Sequence, residues 1–480
     1  MSAKWLIAAI LFPIVMGAMV PVFGIKTRKA VRLYTGAVTI LTSVFTWVLI
    51  LTASGEACTL IEFTHVFVFQ LQFDGLGRFF AGIVATLWPL TVLYAFEYLK
   101  DDPRQHAFFA FFTISFGVTL GITMSGDIFT LYCFYELLTL STAPLIMHTD
   151  TKAAGRAART YFLFSIGGAA VALLPVLYLT TGADARYSDT VNRVFYVLGF
   201  FGFGVKAAVC PLHRWLPKAS VAPTPVTALL HAVAVVKSGV FAIIRLTWCS
   251  FDPELIAGTF AQLIPLCFIF ATILYGSIKS VREPHWKRRL AYSTVSNLSY
   301  ILFGVLLLTP AGLRGGLLHM AFHAEIKILA FFAAGAVMYV SGREYISELS
   351  GLGKRMPVTC ACFTCAALAL TGIPPFAGFI SKWNLLTAAA DAGTALAYIG
   401  AGAILTSALL TAIYMFTTVR RMYFPEQGAE DTALSEVHEA GWMMWVPMAI
   451  LAVSTLVTGL FGGKIIDALD GIISGLSRWM

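Results

Sequence analysis

The 480-residue chain is 58% hydrophobic and only 12% charged, with a mean hydropathy of +0.81. Water-soluble domains carry roughly 25% charged residues, so these values exclude a soluble fold and make lipid the solvent. The net charge of +8 lies in short loops between apolar runs, which excludes a nucleic-acid patch and fits membrane topology.

A helix crosses the hydrocarbon core with about 20 apolar residues. On that rule the sequence predicts an all-α integral membrane protein of fourteen spans: 5–23, 33–52, 79–99, 108–124, 128–147, 161–179, 194–210, 227–248, 255–278, 290–308, 317–340, 358–388, 396–416 and 442–461. The first run lacks a small-x-small cleavage pattern and reads as a span, not a leader. Alternate loops are basic. They hold Lys26, Arg28, Lys29 and Arg32; Lys100 and Arg104; Lys152, Arg156 and Arg159; Arg214 and Lys218; Lys279, Arg282, Lys287, Arg288 and Arg289; Arg343, Lys354 and Arg355; and Arg420 with Arg421. The opposite loops carry Glu56, Glu62, Asp74, Asp127, Asp252, Glu254 and Asp391, with Arg186 and Arg193 as the basic exceptions. Basic loops stay in the cytoplasm, so both termini are expected outside. In the tail, Ile465, Leu469, Ile472, Leu476 and Trp479 recur at helical spacing, which predicts an interfacial helix.

Two stretches are broken by proline, one at Pro211, Pro217, Pro223 and Pro225, the other at Gly372, Pro374, Pro375 and Gly378. Non-helical backbone at membrane depth is tolerated only against protein or water. Breaks in matching places of two halves point to internal repeats with an ion site between them. Eight cysteines are present, and the trio Cys360, Cys362 and Cys365 lacks a fourth ligand, so it reads as helix packing and not a metal or iron–sulfur site.

The charges inside the spans carry the chemistry. Glu136 lies nine residues past Asp127, about 13 Å along a helix and near mid-membrane. Asp127 itself reads as an N-cap. Lys206, Lys237, Lys327 and Lys382 all fall within predicted spans. Each such charge costs roughly 3 kcal/mol at the bilayer centre if it faces lipid, so together they must face one another, water or protein. Lysine suits ion transfer, because desolvation favours its neutral form and a nearby carboxylate its ammonium form. His319, His323 and Lys327 are spaced i, i+4, i+8 and share one helix face, which reads as a proton relay. His231 sits about 120° around its helix from Lys237 and is expected to serve another contact. Glu325 points away from the His319–Lys327 face.

The segments YCFYELLTLSTAP, GFGVKAAVCPLHRWLPKASVAPTPVTALLHAVAVVKSGVFAIIRL, KRRLAYSTVSNLSYILFG, HMAFHAEIKILAFFAAG and LTGIPPFAGFISKWNLL resemble the antiporter-like subunits of respiratory complex I, Mrp-type cation/proton antiporters and membrane-bound hydrogenases. The resemblance covers residues 108–416. It implies two inverted five-helix repeats, within a division into 1–106, 107–250, 251–420 and 421–480. It also implies a Glu136–Lys206 pair, a central Lys237 and a distal Lys382. The chain departs from that pattern in four ways. It is too short for a long lateral helix, it has lysine and not glutamate at 382, it keeps both His231 and Lys237, and it has Glu325 before Lys327. Lysine at 382 looks more like an Mrp D-type or hydrogenase-type subunit, and the departures together leave the parent complex open. The implied partners are other membrane subunits, further antiporter-like subunits among them, in the cell's inner (plasma) membrane. No cofactor or metal is expected. A redox subunit is the competing class, but no dinucleotide fingerprint, phosphate loop or haem motif is present. A solitary solute transporter would need one central cavity, whereas these ionisable groups spread over several helices.

Overall fold

A computed structural model describes residues 3–22, 27–424, 437–476 and 479. Phe23 and Lys26 of the first span and loop lie outside the described residues, as do residues 425–436 and Ser477, Arg478 and Met480 of the tail. Nineteen α-helices follow one another among the described residues. They are α1 (Ala3–Val22), α2 (Arg28–Thr52), α3 (Gly75–Tyr98), α4 (Gln105–Thr123), α5 (Ile128–Met147), α6 (Lys152–Thr180) and α7 (Asp189–Gly204). Next come α8 (Trp215–Ala219), α9 (Thr224–Ala232), α10 (Val235–Arg245), α11 (Pro253–Ile256), α12 (Phe260–Arg282), α13 (Trp286–Leu306) and α14 (Pro310–Ser341). The last are α15 (Pro357–Thr371), α16 (Ala377–Ala392), α17 (Ala395–Tyr423), α18 (Trp442–Leu460) and α19 (Gly462–Ser474).

Eleven helices among the described residues are long and apolar enough to cross a membrane. Side-chain caps set the starts of several of them: Thr27, Asp74, Asp127, Thr151, Thr309 and Thr394 each accept a backbone N–H from the first turn. Exposed Leu33, Leu51, Leu409 and Val453 on α2, α17 and α18 form an apolar outer face, which only lipid accommodates at this extent. The long α14 is buried along most of its length, and α3, α9, α13, α15, α16, α18 and α19 surround it.

Three local readings are corrected. The chain is not wholly helical, because β1 (Cys58–Glu62) pairs antiparallel with β2 (Val68–Leu71), Cys58 opposite Leu71. This hairpin is tied to α5 where Gln70 N–H donates to Thr130 Oγ1 at 2.9 Å. Lys287 and Arg289, read as loop residues, belong to α13 and are buried. Lys287 Nζ donates to the Ala222 carbonyl at 2.8 Å, and Arg289 donates to the Glu283 and Tyr414 carbonyls at 2.9 and 3.2 Å. Finally, the predicted span 227–248 is not one helix. It breaks between α9 and α10 at Val233 and Ala234, then ends in a π-turn at Leu246–Ser250.

Candidate functional site

Glu136 stands on α5, whose first turn is fixed by Asp127 accepting from Thr130 N–H at 2.8 Å and Thr130 Oγ1 at 2.6 Å. The opposing lysine is not inside a helix. α7 stops at Gly204, and Lys206 lies in the turn that follows, where Ala208 takes a positive φ of 57°. This turn aims the Lys206 ammonium at α5. Its Nζ lies 3.7 Å from Glu136 Oε1, donates to the Tyr135 carbonyl, and sits 3.4 Å above the Tyr135 ring. The lysine is fully buried. A desolvated ammonium over an aromatic face gains an additional electrostatic contact. Tyr135 is thus part of the site, which sequence reasoning missed because the carbonyl and the ring are used for position and not for charge.

Lys237 lies in the first turn of α10, just past the α9–α10 break. Its Nζ is 3.0 Å from Nδ1 of His323 on α14. The helix bearing Lys237 also presses directly on the first lysine's turn, since a Cβ at Gly239 would lie 2.5 Å from Ala207 N and 2.9 Å from Lys206 Cβ. Glycine is required there for the two backbones to meet. His231 stays on the other side of the break. Its ring packs 5.0 Å from that of Phe331, and neither ring nitrogen has a hydrogen-bond partner among the described residues.

On α14 the His319 and His323 rings are neighbours, 5.8 Å apart between centroids. His319 reaches Ser381 Oγ through Nδ1 at 2.9 Å and Asn297 Oδ1 through Nε2 at 3.2 Å. Lys327 does not hydrogen-bond to these histidines. It turns to α13, donating to the Leu290 carbonyl at 3.1 Å and to Ser293 Oγ. Lys237 on α10 is therefore the lysine that hydrogen-bonds to His323.

Lys382, next to Ser381 on α16, donates to the Leu370 and Thr371 carbonyls at 2.6 and 2.9 Å. These carbonyls end α15, and the gap between α15 and α16 leaves them without helical partners. Gly372, at φ 91°, lets the lysine stem lie close; a Cβ there would be 3.0 Å from Lys382 Cδ. Beside this end, Ser277, Ser296 and Ser407 form a hydroxyl cluster joined by Tyr300 O–H donating to Ser407 Oγ at 2.6 Å. No charge in the sequence flagged this cluster.

Glu325 faces the opposite side of α14. It lines a 680 Å³ cavity with Ser454 and Thr458 of α18, away from both histidines. A second buried ion pair ties α3 to α10: Arg245 donates to both carboxylate oxygens of Asp74 at 2.5 Å. It joins two helices.

The helices that carry these buried charges make a multi-pass membrane protein of the antiporter-like type. The chain belongs to the NADH:quinone oxidoreductase/Mrp antiporter transmembrane family, whose profile matches residues 125–411. It is 33% identical over 423 residues to NADH-quinone oxidoreductase subunit N of Desulforudis audaxviator, covering 83% of each chain. It is 31% identical over 404 residues to subunit L of Mycobacterium tuberculosis, covering 82% of this chain but 63% of that longer one. The fold is shared with a chain of the Mrp complex from Dietzia sp. DQ12-45-1b, at a TM-score of 0.86 and 22% identity over 99% of this chain and 98% of that one. It is shared equally with a chain of the membrane-bound sulfane sulfur reductase, an archaeal respiratory membrane complex, at a TM-score of 0.86 and 24% identity over 99% and 98%.

Proposed function

We propose that the chain is a proton-translocating, antiporter-like subunit of a larger energy-converting membrane complex, with sodium as the alternative cargo. Its redox or antiport partners are other membrane subunits in the plasma membrane. One chain of contacts carries the reading: Lys237 hydrogen-bonds to His323 at 3.0 Å, the His323 ring lies 5.8 Å from that of His319, and His319 reaches the residue preceding Lys382. In this reading Glu136 and Lys206 load the path, Lys237 and the two histidines pass protons on, and Lys382 releases them. Lys327 and His231 tune the field at the centre.

Fourteen spans follow when α7, α13 and the α15–α16 pair are added to the eleven apolar helices. α7 is short and α13 is polar, so hydropathy alone passes over them. Spans four to eight and nine to thirteen would form two inverted repeats. The correspondence favours this, since the fourth member of each is broken and a lysine attends each break, Lys206 within the first and Lys382 reaching from α16 to the carbonyls at the second. The domain limits are then 1–106, 107–250, 251–420 and 421–480.

A complex I-type quinone oxidoreductase subunit is the second reading, favoured by the 33% identity to a subunit N over 83% of both chains. Sodium dependence of pumping and the identity of co-purifying subunits separate the two.

Replacing Lys382 tests the exit. Lys382→Gln is expected to cut ion pumping by vesicles at least tenfold, because a neutral amide carries no proton. Lys382→Glu is expected to keep partial activity with a shifted pH optimum. A glutamate facing the Leu370 and Thr371 carbonyls binds them only as the protonated acid, so it charges in the opposite half of the cycle. Pumping measured across pH with a pH-sensitive dye checks both, and full activity in the glutamine variant removes Lys382 from the path.

A further inference from the structure

Away from the buried line, three of the basic segments converge on one cavity. Arg156 and Arg159 of α6, Arg214 and Lys218 near α8, and Arg288 of α13 line a space of about 850 Å³ with Glu283 as its carboxylate. Glu283 is already engaged, its Oε1 lying 3.2 Å from Arg288 Nε. Among the described residues no ion pair engages Arg156, Arg159, Arg214 or Lys218. Four cations without counter-charges at the predicted cytoplasmic end form a strong positive site.

A second cavity continues from the first. It holds about 670 Å³ between α6, α7 and α12, is lined almost wholly by apolar side chains, and shares Leu163 with the basic cavity. Along α6 the two form one stripe, from Arg156 through Thr160, Leu163 and Gly167 to Val171. The fifteen helical rises from Arg156 to Val171 span about 22 Å. One leaflet of the hydrocarbon core is roughly 15 Å deep, half of about 30 Å, so the stripe covers one headgroup and one leaflet. At Gly167 an added Cβ would meet nothing within 4 Å, so the groove is open there.

We propose that this continuous surface binds one anionic diacyl phospholipid, with its phosphate among the arginines and an acyl chain in the groove along α6. Basic pockets at the cytoplasmic ends of membrane helices suit anionic headgroups. A zwitterionic lipid fits poorly, because Glu283 is occupied and no other carboxylate lines the cavity to receive a headgroup ammonium. An acidic protein segment would satisfy the cations but leave the membrane-depth groove unfilled.

The test uses the delipidated full chain in nonionic detergent. Phosphatidylglycerol, phosphatidylcholine and inorganic phosphate are titrated in turn, with native mass spectrometry and thermal stability as readouts. The expected result is one tightly retained phosphatidylglycerol, at least tenfold preferred over phosphatidylcholine, with no stabilisation by inorganic phosphate. Gly167→Leu, which plugs the groove without meeting backbone, is expected to weaken retention at least tenfold. The surface triple change Arg159→Gln, Arg214→Gln, Lys218→Gln is expected to do the same, and lipid-free melting temperatures confirm that both variants fold. Equal binding of the two lipids, stabilisation by inorganic phosphate, or unchanged retention in both variants would overturn the proposal.

Discussion

Exchanging Lys206 for alanine is expected to abolish ion translocation while the complex still assembles, and Glu136→Ala is expected to do the same. The two charges lie 3.7 Å apart, with the lysine fully buried. At that separation their attraction is on the order of 4 kcal/mol in an effective dielectric near 20. Protonation changes at this pair are thus felt strongly by neighbouring groups, and Gly239 brings the Lys237 helix directly against the Lys206 turn. Removing one partner leaves a lone charge, whereas removing both does not. The double variant Glu136→Gln, Lys206→Gln is therefore expected to melt closer to wild type than either alanine variant, yet still not to pump. Vesicle transport paired with thermal unfolding of the purified protein checks this. Wild-type transport in either single variant rejects the pairing.

His323→Ala is expected to slow translocation at least tenfold, and Glu325→Gln less than twofold. The two residues lie two positions apart on α14 but face different surroundings. His323 meets Lys237 at 3.0 Å and its ring neighbours His319, whereas Glu325 looks into a cavity beside Ser454 and Thr458. Deleting the imidazole removes the group that links the α10 lysine to the α14 histidines. The amide at 325 keeps size and hydrogen-bonding capacity. Pumping rates at matched protein levels decide it, and a larger loss from Glu325→Gln would move the path to the other face of α14.

Much of this was legible in the sequence for one physical reason. In a chain 58% hydrophobic, each charge within a span stands out against its neighbours. Glu136, Lys206, Lys237, Lys327 and Lys382 could therefore be named without a fold. Proline and glycine likewise marked the gaps around Pro211–Pro225 and Gly372–Gly378. What the sequence hid was partnership. His323 shares a helix face with Lys327, so i, i+4 spacing groups them, yet its hydrogen bond runs to Lys237, 86 positions away. The α9–α10 break at Val233 and Ala234 was equally hidden, because neither residue is a helix breaker and tertiary packing imposes it. In the sequence Lys287 and Arg289 read as loop charges because polar residues flank them, while the Ala222, Glu283 and Tyr414 carbonyls that satisfy them come from elsewhere in the chain or fold.

In the proposed path, ions cross between the two halves through Lys237. The most direct measurement is ion pumping by vesicles carrying Lys237→Met, which keeps an unbranched side chain of similar length but removes the charge and the donor to His323. Loss of pumping is expected, with subunit assembly and the complex's driving reaction detectable. Pumping at the wild-type rate in that variant would contradict it.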